Sequence, residues 1–486
     1  MIMRHILATL TAISLLLVSC SRETVLREEL PQIFPDYIGV TVPAGIAPLN
    51  FCLSEEYSKV FAKVSDSRGN SITAKGCYAG FSVNKWHKLT EANIGDTLTF
   101  LVAGYKDGRW EQFRPFLVFV SEYPLNDYGV TYRRFAPGYE TYSKIGIYQR
   151  NIHNFKEEPI LEGSLLPGQC MGCHTANATS PDQFLFHIRG KHGATVIQED
   201  GHRKWLETKT DSTVAKAVYS YWHPSGEYLA HSNNIIRQLF WTGNNERYVE
   251  VYDDVSDIIV HNVSNDQYIL TPLLMTEDFE TYPAFSSDGK TLFFCSAPKV
   301  DVPARAEDVH YNLCSISFDK ETETFGSQVD TLINAVALGK SVTFPRPSYD
   351  GRWLLYSYAD FGCFPINHKE ADLWLMDLQD GSTHPLEKAN SSYCESFHNW
   401  SSDSHWILFA SRRGDSLYSR IYIAQIDEEG NASKPFLLPQ KNPDFYHKTL
   451  FTFNVPDFTK ERVDFKTRGA YEEAFSDQRV KVTVKQ

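Results

Sequence analysis

The chain has 486 residues, room for two or three domains with substantial cores, and a formal net charge of -13 at pH 7. That acidic balance argues against nucleic acid or an anionic membrane surface as a partner. Aromatic residues make up 14% of the chain, led by 31 Phe and 26 Tyr, and helical periodicity is hard to find, so the composition predicts an all-β protein.

The first residues, Met1-Ile2-Met3-Arg4-His5, are a short basic start, and the apolar run 6–18 that follows is too short to span a bilayer comfortably. This pattern reads as a secretion signal over 1–19. Leu17-Val18-Ser19-Cys20 resembles the lipobox of bacterial lipoproteins. The resemblance implies cleavage before Cys20, thioether diacylglycerol on its sulfur and a further acyl chain such as palmitate on the new amino group. Several acyl chains anchor a protein stably. The expected product is a body tethered to the cell envelope through acylated Cys20, with 20–35 as the leash and the outer membrane as the expected site.

Residues 36–125 alternate as short half-buried strands separated by turn residues. Val60-Phe61-Ala62-Lys63-Val64 ends at Ser65-Asp66-Ser67-Arg68-Gly69-Asn70, and a strand starting at Thr97 ends before Lys106-Asp107-Gly108. This spacing predicts a small β-sandwich of immunoglobulin type. Trp86 and Trp110 fit its core or a sheet edge, with sugar stacking as the functional alternative.

A connector is expected over 126–180. It gathers Tyr132, Arg133, Arg134, Tyr139, Tyr142, Tyr148 and Arg150 around Pro137-Gly138. Arginine with tyrosine suits a carboxylate such as a haem propionate, and equally suits packing between two neighbours. Its end carries Cys170-Met171-Gly172-Cys173-His174. Cys-x-x-Cys-His is the spacing at which two thiols and an imidazole hold a c-type haem, with Cys170 and Cys173 as thioether anchors and His174 as the iron ligand. A zinc site, a tight disulfide or unligated thiols are the competing readings. His187 and His192, in Phe186-His187-Ile188-Arg189-Gly190-Lys191-His192, are the expected candidates for the sixth iron position. An open sixth site facing His187 or Arg189 would permit peroxidase-like chemistry. Of nine cysteines, Cys52, Cys77, Cys295, Cys314, Cys363 and Cys394 remain, which permits three disulfides in an oxidising compartment, Cys52 with Cys77 first, or buried free thiols.

An internal repeat occupies 181–486. Trp222-His223-Pro224-Ser225-Gly226-Glu227-Tyr228 returns as Phe285-Ser286-Ser287-Asp288-Gly289-Lys290-Thr291, then as Pro347-Ser348-Tyr349-Asp350-Gly351-Arg352-Trp353 and Trp400-Ser401-Ser402-Asp403-Ser404-His405-Trp406. The copies lie about 50–60 residues apart, the period of one β-sheet blade. Ser404 stands where the other copies have glycine. These repeats resemble the WD40-like repeats of TolB-type β-propellers, which implies four-stranded blades around a channel, commonly six. Blades around 184–205 and 451–484 would complete the count, with Val480, Val482 and Val484 closing the ring. The whole layout resembles that of cell-envelope lipoproteins of Bacteroidetes-type bacteria.

Two functional expectations follow. One is a tethered haem protein passing electrons or sensing redox state. The other is a non-enzymatic recognition module whose channel binds a protein, peptide or glycan, with the cysteines structural. There is no Gly-x-Ser-x-Gly elbow and no α/β segment to support a hydrolase. His223, His231, His310, His398 and His405 lack compact ligand spacing and are expected in hydrogen bonds. Glu246, Glu250, Asp253 and Asp254 lack the spacing of a calcium loop.

Overall fold

The computed structural model describes residues 24–136, 144–240, 249–476 and 478–485. The signal segment, Cys20, Pro137, Gly138, Tyr139, Tyr142 and Glu246 lie outside these residues.

The protein is all-β, and its main body is a six-bladed propeller. The innermost strands are Thr452–Thr459, Cys170–Asn177, Val218–Trp222, Phe279–Phe285, Ser341–Pro347 and Glu395–Trp400, taken here as blades 1 to 6. Each pairs antiparallel with the next strand outward. Blade 1 closes the ring. Its inner strand comes from near the C-terminus, and its outer three, Gly129–Phe135, Ile145–Asn151 and Glu157–Glu162, come from the segment expected to be a connector. The Tyr/Arg run is therefore blade sheet. The alternating valines at the C-terminus serve another end: Val480–Lys481 and Thr483–Val484 add in parallel to the outer edges of blades 2 and 3, stitching them together with Val482 buried between.

The repeated Ser-x-Asp-Gly turn has a physical cause. In blade 4, Ser286 Oγ donates to Asp288 at 2.6 Å and accepts from Thr291 N at 3.0 Å, while Asp288 accepts from Lys290 N at 3.0 Å. Blades 5 and 6 repeat this with Ser348/Asp350 and Ser401/Asp403. The closing residue must be left-handed: φ is 74° at Gly289, 80° at Gly351 and 64° at Ser404, so the fourth copy keeps the same turn with a serine in a conformation that favours glycine. Ser404 also accepts from Asp350 N at 3.1 Å, linking its turn to the preceding blade.

The N-terminal part forms one branched seven-stranded sheet and a two-stranded ribbon, Ile33–Phe34 with Cys52–Leu53, where the alternation predicts a two-sheet sandwich. A helix, Val83–Glu91, is inserted and buries Trp86 and Leu89. Trp110 lies partly exposed with its ring 5.3 Å from that of Tyr105. This part packs on blades 5 and 6: its apolar core is continuous with Trp353, Trp400 and Trp406, and Trp406 Nε1 donates to the Pro124 carbonyl at 3.1 Å.

No disulfide joins the described cysteines. Cys52 and Cys77 are free, and Cys295, Cys314, Cys363 and Cys394 are buried free thiols.

Candidate binding site in the propeller channel

Every innermost strand bends at the same place. Val455, Cys173, Tyr219, Tyr282, Phe344 and Phe397 each adopt φ between 46° and 53°, and each lies where the pairing to the next strand slips register. A β-bulge redirects a side chain locally. Repeated around the ring, it gathers these residues at the channel. Tyr282 and Phe344 have ring centroids 3.9 Å apart, Phe344 and Phe397 5.1 Å, and Tyr219 and Tyr282 4.9 Å. Cys173 is thus the blade 2 member of a channel ring that is otherwise four aromatics and a valine.

A cavity of ≈ 90 Å³ opens here, lined by Cys173, His174, Tyr219, Phe344, Phe364 and Phe397 together with Arg133, Arg189, Arg346 and Asp457. The three arginines come from blades 1, 2 and 5. Arg189 Nη2 donates to Cys173 Sγ at 3.0 Å, and Arg133 Nη2 donates to Cys170 Sγ at 3.3 Å. Arg346 donates to the Pro345 carbonyl at 2.9 Å and lies 5.2 Å from the Tyr221 ring. Among the described residues none of the three forms an ion pair with a carboxylate, whereas Arg134, also expected as an anion ligand, pairs with Glu157. Arg150 is spent on the Pro439 carbonyl, Tyr132 on Glu157 and Tyr148 on Glu162.

The one carboxylate lining the cavity is Asp457. It accepts from Asn399 Nδ2 at 2.6 Å and from Ala176 N at 3.2 Å, tying the inner strands of blades 1, 2 and 6. Burial pushes its pKa up to about 7, so near neutral pH it is only partly ionised and offsets only part of the cationic charge. Arg189 is held more firmly protonated, chiefly by the Cys173 sulfur. His174 is 2% exposed and neither ring nitrogen makes a well-aligned hydrogen bond; burial lowers it to about 4, an effect the nearby Thr131 backbone partly opposes.

These residues do not fit a c-type haem. Cys170 to His174 lie in an extended strand, and three residues of strand separate two Cα atoms by about 10 Å, so the thiols are not carried on one turn. His174 is packed beside Phe184, ring centroids 5.8 Å apart. The expected sixth ligands are committed elsewhere. His187 has both ring nitrogens bonded, to Thr195 Oγ1 and Ser220 Oγ at 2.9 Å each, and His192 packs on Phe475 at 4.8 Å. The strand spacing also exceeds the roughly 4.4–6.8 Å between Cα atoms that a disulfide bridges. Among the described residues, no group of three His, Cys, Asp or Glu side chains is placed to hold a metal ion.

Three of the remaining histidines serve packing, while His310 keeps a buried Nδ1 without a hydrogen bond. His398 Nε2 donates to the carbonyls of Phe344 and Leu355 at 2.7 and 3.2 Å, His223 Nε2 to that of Gly289 at 3.1 Å, and His405 stacks on Tyr123 at 4.0 Å. Asp253 is buried against Asn234 and Tyr311, and Glu250 pairs with His368 at 2.9 Å, so these acids belong to the blade packing. Sequence reasoning passed over Arg189, Arg346 and Asp457 as a unit. No local pattern links them: Arg189 ends the second strand of blade 2, Asp457 lies on the inner strand of blade 1, and only Arg346 directly precedes a repeated turn.

No family model matches the chain, and no curated protein matches it. Among solved structures, TolB from Acinetobacter baumannii is similar at 11% identity over 75% of this chain and 79% of that one, with a TM-score of 0.44. A periplasmic gluconolactonase from Pseudomonas aeruginosa matches at 13% identity over 68% and 99%, TM-score 0.34. An oligogalacturonate lyase from Vibrio parahaemolyticus matches at 11% over 59% and 85%, TM-score 0.31. At such values these likenesses carry no argument about function.

Proposed function

We propose that this chain is a lipid-tethered envelope protein whose propeller channel binds a small carboxylate-bearing ligand, a recognition module and not an electron carrier. The observation that carries the reading is the convergence of Arg133, Arg189 and Arg346 on one cavity with no carboxylate ion-paired to any of them among the described residues. Guanidinium matches a carboxylate bidentately, and a partly desolvated guanidinium gains most from such a partner. The aromatic wall of Tyr219, Phe344, Phe364 and Phe397 suits a planar or apolar body attached to that anion. The tether rests on the sequence alone, on Leu17-Val18-Ser19-Cys20 after its apolar run.

Matched pairs of ligands test the binding. N-acetylphenylalanine against its amide, and glucuronate against glucose, differ chiefly in the carboxylate. Calorimetric titration is expected to show the acid of a pair binding at least about tenfold more tightly, the worth of one charge-assisted bidentate pair. Arg346→Gln should remove that preference. Equal binding of acid and neutral partner, or none by either, defeats the reading.

A further inference from the structure

Cys173 stands apart from the other described cysteines. Four are buried, Cys52 and Cys77 belong to the N-terminal part, half-buried Cys170 packs against an apolar core and does not line the cavity, and Cys173 is half-buried on the channel ring, where its left-handed backbone turns it into the arginine-lined cavity. Arg189 Nη2 reaches its sulfur at 3.0 Å, which holds the sulfur in place at the cavity wall. The second observation is His174. It lines the same cavity, is 2% exposed, and neither of its ring nitrogens makes a well-aligned hydrogen bond. Buried polar atoms of this kind are normally satisfied, so the cavity offers hydrogen bonds to something entering it.

We propose that Cys173 is a modification site that forms a mixed disulfide with a small carboxylate-bearing disulfide. The Cys173 sulfur attacks one sulfur of R–S–S–R. The bond between the two ligand sulfurs breaks, a Cys173–S–S–R bond forms, and RS⁻ leaves to take a proton from solvent. Cys173 is oxidised and the departing half is reduced to a thiol. Arg189 holds the attacking sulfur, and Arg133 and Arg346 face the ligand's carboxylates. Cys170 does not resolve the adduct, because about 10 Å of strand separates it from Cys173. The product therefore stops at the mixed disulfide. This is the reverse of a Cys-x-x-Cys pair on a helical turn, which would close on itself.

The preference for an anionic disulfide rests on the anion-binding reading; the reactivity of Cys173 does not. Three reagents separate the two on the full-length exported protein: neutral hydroxyethyl disulfide, anionic glutathione disulfide and cationic cystamine, with adducts located by peptide mass. Hydroxyethyl disulfide is expected to modify Cys173 about tenfold faster than exposed Cys77, a ratio that Arg189→Gln collapses and Arg189→Lys partly restores. Glutathione disulfide should outpace cystamine at Cys173 and not at Cys77. Should Arg189→Gln not fold, the rates at Cys173 and Cys77 within the wild-type protein still decide. Failure of Cys173 to react with the neutral reagent while Cys77 does, or an internal Cys170–Cys173 disulfide as the main product, overturns the proposal. Reaction with the neutral reagent but no favour for the anionic one keeps the modification site and defeats the anion reading.

Discussion

Cys173 and Phe397 hold equivalent places in the ring: each is the left-handed residue of an inner-strand bulge, with φ of 52° and 49°, and each is followed by a buried histidine, His174 and His398. The same position in the other blades carries Tyr219, Tyr282, Phe344 and Val455. What reads along the chain as a haem motif is in space one sixth of a repeated channel wall.

The aromatic members of this ring hold the blades together, and the cysteine does not. Tyr282 is buried between Tyr219 and Phe344 and its hydroxyl donates to the Cys363 carbonyl at 2.9 Å, so Tyr282→Ala is expected to cost about 3–5 kcal/mol. Cys173→Gly, at a position that already favours glycine, should cost less than about 1 kcal/mol. Denaturant midpoints of the two variants check the contrast.

The turns interlock in a way that glycine alone permits. A Cβ on Gly289, at φ 74°, would lie 2.1 Å from His223 Nε2 of the preceding blade. Gly289→Ala should therefore lower stability by about 2–4 kcal/mol, through the left-handed backbone and the collision together. Gly381→Ala, also left-handed at φ 75° but with nothing within 4 Å of its Cβ, should lose only the backbone part, about 1 kcal/mol.

Asp457 and His398 give stability opposite dependences on pH across the acid range. Asp457 is raised to about 7 from 3.8, so the folded state binds its proton more tightly; the stability this gives is full below pH 4 and lost as pH rises through 7. His398 is lowered to about 3 from 6.5 by burial, so its contribution is present above 6.5 and lost as pH falls toward 3. Asp457→Asn should remove the decline in thermal midpoint as pH rises from about 4 to 7, and His398→Gln should remove the opposite decline as pH falls from about 6 to 4. Thermal melts across that range read both slopes.

The propeller was legible because Ser-x-Asp-Gly is a local device: serine and aspartate satisfy the turn's backbone donors and glycine takes the left-handed residue, so the signal stands in full in blades 4 and 5 and in altered form in blades 3 and 6. Blade 1 was hidden because its inner strand, Thr452–Thr459, and its partner Gly129–Phe135 lie more than three hundred residues apart, with no repeated turn between them. The channel site was hidden for a related reason. Arg133, Arg189 and Arg346 meet only through the ring, while Cys170, Cys173 and His174 are adjacent in sequence and carry a familiar spacing whose helical requirement the strand does not meet.

The tether predicts that Cys20→Ser abolishes incorporation of radiolabelled palmitate and moves the protein from the membrane pellet to the soluble fraction of the envelope, because the acyl chains alone provide the anchor. Residues 24–26 pair with 110–112 and Ile33–Phe34 with Cys52–Leu53, so most of the 20–35 span expected as a leash belongs to the folded body.

The most direct test of the central claim, that Cys170-Cys173-His174 is a channel strand with free thiols, is intact mass together with a reduced-minus-oxidised visible spectrum of denatured protein purified from a host that matures c-type haem. The account predicts the mass of the processed, acylated polypeptide, two alkylatable thiols at Cys170 and Cys173, and no α-band. A retained haem mass with a sharp reduced α-band, abolished by Cys170→Ala and Cys173→Ala together, would contradict it.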